Sequence, residues 1–154
     1  MTNLCCDVLK ALSGKTLTTA ESCTGGGIGA ALTAISGSSA VYKGGVISYT
    51  NEVKENVLGV DREVLERFGV VSAPVAAAMA GGARKLLRAD VAVSVTGLAG
   101  PGGDEYGNPV GTVYIGYEDE KRSLVKKYLF EGDREAVRNQ TIEMALKIVL
   151  ENNM

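Results

Sequence analysis

Apolar positions along the chain recur with two different periods, and their succession predicts the elements. Leu4, Val8, Ala11 and Leu12 mark one face of an N-terminal helix that ends near Ser13-Gly14. The β-branched run from Thr16 to Thr19 reads as a short strand, followed by a tight turn. Ile28, Ala31, Leu32 and Ile35 then return to helical spacing and predict a helix from about Thr24 to Ile35. A turn at Ser36 to Ser39 leads to a strand from Val41 to Tyr49, in which Gly44-Gly45 marks a bulge or a close backbone approach. Thr50 or Asn51 can cap a helix beginning at Glu52, and a further short helix around Val64 and Leu65 closes at Gly69. Ser72 caps the next helix, with Pro74 in its first turn and Val75, Ala78, Met79, Gly82 and Leu86 on its apolar face. Val91 to Thr96 is a nearly continuous apolar run, which fits a central strand covered on both sides. Val110 to Tyr117 and Ser123 to Phe130 alternate about a charged turn and form an antiparallel hairpin. Asp133 caps a last helix whose buried stripe is Val137, Thr141, Met144, Ala145, Ile148 and Val149. This alternation of helices and strands predicts an α/β chain: a three-layer α/β/α sandwich with a mixed sheet and helices on both faces.

The bulk numbers narrow the function classes. At 154 residues the chain reads as one domain, 1–154, able to bury about two thirds of its unfolded surface. Net charge is −2, no basic block occurs and aromatics make up 5%, so no nucleic-acid-binding face is expected. No signal peptide and no membrane-spanning segment are expected either. Three cysteines, Cys5, Cys6 and Cys23, make no disulfide framework and no metal-type spacing, which suits a reduced, cytoplasmic protein without a metal. The absence of histidine removes the Ser-His-Asp triad, the Cys-His pair and nearly every catalytic zinc arrangement together. Acid–base chemistry must then come from Lys, Tyr, Asp, Glu, Cys or an activated hydroxyl.

Ligands of α/β sheets gather beyond the carboxyl ends of the strands. Three strand ends carry suitable groups: Ser22 to Gly27, Ser48 to Lys54, and Thr96-Gly97 onward to Gly103. The first is glycine-rich, and Gly25, Gly26 and Gly27 cost a helix roughly 1 kcal/mol each, so they suggest close approach of a ligand or tight helix–strand packing. Ser22 and Thr24 lie where a helix N-terminus can hold a phosphate, a carboxylate or a developing oxyanion. Without histidine a serine nucleophile needs another base, and lysine is the known substitute. Lys54 falls in the expected first turn of its helix, where the dipole disfavours a cation and lowers its pKa; the bland reading is a solvated surface lysine. Tyr49 can relay a proton, and Ser39 can bridge Ser22 and Lys54. Cys23 is the rival nucleophile, because a thiol at a helix N-terminus is acidified. Glu21 is expected to orient the site or pair with a cation. Arg134 and Arg138, in the first turns of the last helix, can clamp a phosphate or be plain surface charges.

Two better-known phosphate motifs fail. Ser13-Gly14-Lys15-Thr16 has Leu9 where a P-loop needs glycine, and it precedes a strand. Gly25-x-Gly27-x-x-Ala30 lacks the acidic residue a dinucleotide site needs at the end of the next strand.

Taken in order, the motifs resemble one family. They are Thr19-Ala20-Glu21-Ser22-Cys23-Thr24-Gly25-Gly26, Gly37-Ser38-Ser39, Tyr49-Thr50-Asn51-Glu52-x-Lys54, Val71-Ser72-x-Pro74, Thr96-Gly97-x-Ala99-Gly100-Pro101, Pro109-Val110-Gly111-Thr112-Val113 and Gly132-Asp133-Arg134. The chain resembles the CinA C-terminal-domain family, which includes the nicotinamide mononucleotide (NMN) deamidases called PncC. The resemblance implies hydrolysis of the NMN carboxamide to nicotinate mononucleotide and ammonia, with no cofactor, by a protein that forms homo-oligomers. It implies catalytic roles for Ser22, Lys54, Ser39 and Tyr49. It also implicates Thr96 and Arg134, with Arg138 as second choice. Many relatives carry this unit behind a further N-terminal domain that is absent from these residues, so the resemblance is to the stand-alone form. It places no pattern on Asp104 to Asn108. The reading from another class is a module that senses a pyridine nucleotide without turning it over.

Overall fold

Strands of period two and helices of period 3.6 meet in one mixed sheet, seen in a computed structural model that describes residues 1–154. The strands are β1 (Leu17–Glu21), β2 (Tyr42–Ile47), β3 (Val91–Gly97), β4 (Thr112–Glu118) and β5 (Ser123–Leu129), in spatial order β2-β1-β3-β4-β5. β2, β1 and β3 run parallel, while β4 and β5 add antiparallel strands beyond β3. β3 lies at the centre, and its apolar run is buried on both faces as expected. The helices are α1 (Thr2–Ala11), α2 (Gly27–Thr33), α3 (Asn51–Asn56), α4 (Arg62–Phe68), α5 (Ala73–Leu87) and α6 (Arg134–Glu151). The three-layer α/β/α reading is therefore correct.

Side-chain alternation divides the core into two clusters. Leu17, Val93 and Val95 join Val8, Ile28, Leu146 and Ile148 on the side covered by α1, α2 and α6. Ala20 joins Leu65, Val75, Met79 and Ala83 on the side of α4 and α5. Ser94, which faces α5, donates its hydroxyl to the Ala76 carbonyl at 2.6 Å, and Gly116 lies opposite with no room for a Cβ. This close seating fixes the height of α5 above the strand ends that follow.

Three local expectations change. The glycine-rich helix starts at Gly27 and not at Thr24, because Gly25 and Gly26 adopt φ of +59° and +99°, left-handed values that no α-helix contains. Ser72 does precede α5, but its hydroxyl turns back to the Gly69 carbonyl at 2.8 Å instead of capping the helix. α3 has only six residues, so Lys54 lies in its last turn and not its first. Thr50 caps that helix as expected, accepting from the Val53 amide.

Candidate active site

β1, β2 and β3 are adjacent and parallel, so their carboxyl ends open on one crevice, as in other α/β sheets. The cleft holds about 290 Å³ and is lined by Ser22, Tyr49, Asn51, Lys54, Thr96 and Arg134, with backbone from Leu98 to Gly100 along one wall. Its only ionisable groups other than Tyr49 and Cys23 are the two cations Lys54 and Arg134, and no carboxylate lines it. Such a cleft favours an anionic ligand. No group of three or more Cys, Asp or Glu side chains is placed to hold a metal.

Ser22 follows β1, and its amide continues the ladder by donating to the Val95 carbonyl at 3.1 Å. Alternation turns Glu21 to the α2 side and Ser22 to the opposite side, into the cleft. Lys54 reaches it from α3: its Nζ lies 3.0 Å from Ser22 Oγ and donates to the Ser48 carbonyl at 2.5 Å. Only 1% of Lys54 is exposed, and no carboxylate comes within ion-pair distance of it. Burial therefore pulls its pKa down from 10.5 to about 8, opposed by the nearby Cys23. The expectation of a perturbed lysine holds, but the cause is desolvation and not the helix dipole, since in the last turn the dipole favours a cation. With one N–H directed to Ser48, the neutral amine has its lone pair free for the Ser22 hydroxyl.

The rival nucleophile fares differently. The Cys23 thiol is buried beneath the turn, and burial pushes its pKa up to about 11, against the pull of Arg138 and Lys54. The expected acidification does not occur. The α2 N-terminus that was to supply it is already neutralised: Glu21 accepts from the Ile28 amide at 2.9 Å and the Gly29 amide at 3.0 Å.

Glu21 is thus a structural group that faces away from the cleft. It also accepts from Thr24 Oγ1 at 2.6 Å and Thr19 Oγ1 at 3.4 Å, and pairs with no cation. Thr24 is fully buried in this cluster, and neither it nor Gly25 or Gly26 lines the cleft. Ser39 lies in a 3₁₀ turn, Ser38–Ala40, before β2, at the opposite end of that strand from Ser48. Six residues of strand span roughly 20 Å, so within one chain Ser39 bridges nothing between Ser22 and Lys54.

Tyr49 and Arg134 stand at the mouth. The Arg134 guanidinium donates to Tyr49 Oη at 3.1 Å and to the Gly100 carbonyl at 2.7 Å, tying the end of β2 to the loop after β3. Tyr49 is 59% exposed and touches neither Ser22 nor Lys54 through a hydrogen bond. Thr96 lines the floor beside Gly97, its hydroxyl held by the Val70 carbonyl at 2.9 Å. Arg138 points elsewhere, donating to the carbonyls of Cys23 and Thr24, both at 3.0 Å.

The sequence reading gave Asn51 only a possible helix-capping role, and gave the Ser48 carbonyl and the Val70-Val71 wall none. Asn51 stood inside a quoted motif between Tyr49 and Lys54. A carbonyl acceptor leaves no side-chain signal at all. The loop that the resemblance left without a pattern is anchored nearby: Tyr106 Oη donates to the Glu66 carbonyl at 2.7 Å and Asn108 Nδ2 to the Val71 carbonyl at 3.2 Å. These bonds tie the loop to α4 and to the α4–α5 connection, whose Val70 and Val71 line the cleft.

Comparisons with known proteins agree with this geometry. The family described as the CinA C-terminal domain matches residues 2–153. A nicotinamide-nucleotide amidohydrolase PncC of Escherichia coli K12 is 46% identical over 135 residues, covering 87% of this chain and 82% of that protein. A CinA-like protein of Parasynechococcus marenigrum is 51% identical over 136 residues, but the match takes in only 32% of its length. The chain thus spans about a third of several curated relatives that it matches. A crystal structure of a CinA superfamily protein from Klebsiella pneumoniae superposes with a TM-score of 0.95 at 38% identity, covering 98% of this chain and 96% of that one. The chain belongs to the CinA C-terminal domain family.

Proposed function

We propose that this chain is an amidohydrolase that converts NMN to nicotinate mononucleotide and ammonia, with Ser22 as nucleophile and Lys54 as base. The observation that carries the reading is the contact of a buried, unpaired lysine with a serine at a strand end. The likeness to a nicotinamide-nucleotide amidohydrolase names the substrate class. The all-cationic cleft suits its phosphate.

Neutral Lys54 takes the Ser22 proton as Oγ attacks the carboxamide carbon, giving a tetrahedral oxyanion. The Cys23 amide, next to the nucleophile and on the cleft lining, donates to no backbone carbonyl and is the oxyanion donor in this scheme. The protonated Lys54 returns its proton to the leaving nitrogen, which departs as ammonia and leaves an ester on Ser22. Lys54 then activates a water that hydrolyses the ester to the carboxylate and free Ser22. No cofactor enters the scheme. Arg134 is the phosphate ligand at the mouth, with Tyr49 held against it. A homo-oligomer fits the same reading, since exposed Ile47 and Tyr49 flank the cleft at the free edge of β2.

The test is release of ammonia and nicotinate mononucleotide from NMN by the wild type, Ser22→Ala, Lys54→Met and Cys23→Ala. Turnover is expected to fall at least ~10³-fold in the first two variants and to survive in the third. Turnover that survives Ser22→Ala but not Cys23→Ala moves the nucleophile to the thiol. Binding of NMN without turnover by the wild type makes the chain a sensor.

A further inference from the structure

We propose that the cleft holds the carboxylate product, nicotinate mononucleotide, more tightly than the carboxamide substrate, so that the chain is inhibited by what it makes. The inference rests on the amidohydrolase reading above.

The fold leaves the Lys54 ammonium incompletely answered. An ammonium has three N–H donors, whereas Lys54 Nζ meets two acceptors, Ser22 Oγ at 3.0 Å and the Ser48 carbonyl at 2.5 Å. No carboxylate lines the cleft. The turn after β1 brings Cys23, the end of β2 brings Tyr49 and α6 brings Arg134, while β3 and the α4–α5 connection bring Thr96, Val70 and Val71. Glu21 of β1 faces α2, and on α3 itself Glu52 is exposed and Glu55 pairs with Arg62. Burial lowers the Lys54 pKa to about 8 because these surroundings offer the ammonium no counter-charge.

The reaction itself supplies one. The acyl carbon is bonded to Ser22 Oγ until the last step, so the product's two carboxyl oxygens form within reach of an Nζ that lies 3.0 Å from Oγ. Hydrolysis of the ester breaks the bond from carbon to Oγ, adds a water oxygen to the carbon and returns a proton to Oγ through Lys54. The new carboxylic acid then passes its proton to the Lys54 amine, since a carboxyl group with a pKa of about 4 is much the stronger acid. Turnover therefore ends as a carboxylate against an ammonium, at a lysine only 1% exposed. The substrate's carboxamide is neutral and brings no such charge. Both nucleotides carry the same phosphate, so the mouth of the cleft treats them alike and the difference lies at the carboxyl group. Each unit by which the bound carboxylate raises the Lys54 pKa makes the protonated protein bind it about tenfold tighter than the neutral one.

Affinities for NMN and nicotinate mononucleotide would be measured by calorimetry at pH 7 and 9.5, with Ser22→Ala, which keeps Lys54 but stops turnover, and with Ser22→Ala/Lys54→Met. Nicotinate mononucleotide is expected to bind Ser22→Ala at least about tenfold tighter than NMN at pH 7. Above a Lys54 pKa of about 8 the product must bind together with a proton. The preference is therefore expected to shrink at least about tenfold by pH 9.5, with proton uptake seen in buffers of different ionisation enthalpy. Adding Lys54→Met should erase the preference at both pH values. Equal affinities at pH 7, or a preference that outlives Lys54→Met, overturns the inference. In the wild type, ammonia release from NMN would be followed with added nicotinate mononucleotide, whose Ki is expected below the KM for NMN at pH 7. That measurement decides alone if Ser22→Ala does not fold. A wild type that hydrolyses NMN without inhibition by the product overturns the inference and leaves the amidohydrolase reading standing. A wild type that releases no ammonia from NMN overturns both.

Discussion

Glu21 and Lys54 are both almost wholly buried and flank the same serine, yet the fold treats them in opposite ways. Glu21 receives four donors, two of them backbone amides, and its charge is dispersed over the α2 N-terminus. Lys54 receives no counter-charge, only the oxygens of Ser22 and Ser48. A buried ion with its bonds satisfied is part of the scaffold; a buried ion left unpaired has its protonation state unsettled and is free for chemistry. Identity and burial do not separate the two residues. Their partners do.

The strongest way to break this contrast is to remove each group. Glu21→Ala leaves the Ile28 and Gly29 amides and the Thr24 hydroxyl without an acceptor, and is expected to destabilise by ~3 kcal/mol or more. Lys54→Met deletes an unpaired charge from the same neighbourhood and is expected to stabilise by about 1–3 kcal/mol at neutral pH while abolishing activity. Chemical denaturation of both variants checks the opposite signs. Equal destabilisation would mean that Lys54 is scaffold as well.

pH sharpens the comparison. The folded-state pKa of Lys54 is lowered from 10.5 to about 8. Below about pH 8 both folded and unfolded forms hold the proton, so the full cost of the buried charge is present. Between about 8 and 10.5 the unfolded chain binds more protons, and the cost is relieved as pH rises. The stability advantage of Lys54→Met is therefore largest below pH 8 and shrinks above it. The same group predicts that kcat/KM of the wild type rises with pH through a midpoint near 8. A pH–rate profile flat from pH 6 to 9 would remove Lys54 as the base.

The smallest effect probes the edge of the Glu21 network. Thr19 Oγ1 is its longest donor, at 3.4 Å, and also bonds Tyr42 Oη at 2.7 Å. Thr19→Val is expected to cost about 1 kcal/mol, with kcat, KM and the pH midpoint unchanged. A shifted midpoint would show that the two buried charges communicate.

Much of this was legible in the sequence, for local reasons. Periodicity marked most of the helices and strands, since the face that must be buried is written in the spacing of apolar side chains, while α3 was read from its cap and β3 from an unbroken apolar run. The order of elements pointed to a sandwich with a mixed sheet, while the adjacency of the three parallel strands, and so the meeting of their carboxyl ends, came from the fold. The absence of histidine directed attention to Ser22 and Lys54, because few residue types can do a base's work. Where local reasoning met a competing local effect it erred: two left-handed glycines moved the start of α2, and a six-residue α3 reversed the dipole argument for Lys54.

What the tertiary structure alone decided was the partner of each polar group. Ser39 and Ser48 look equivalent along the chain, but β2 carries one to each end of the sheet. Arg134 and Arg138 are a helical turn apart on α6, yet one meets the mouth of the cleft and the other the back of a turn more than a hundred residues away in sequence. Side-chain type and period are properties of neighbouring residues and can be read in one dimension. Desolvation, and the choice of which carbonyl or amide answers a buried charge, depend on atoms brought together by folding.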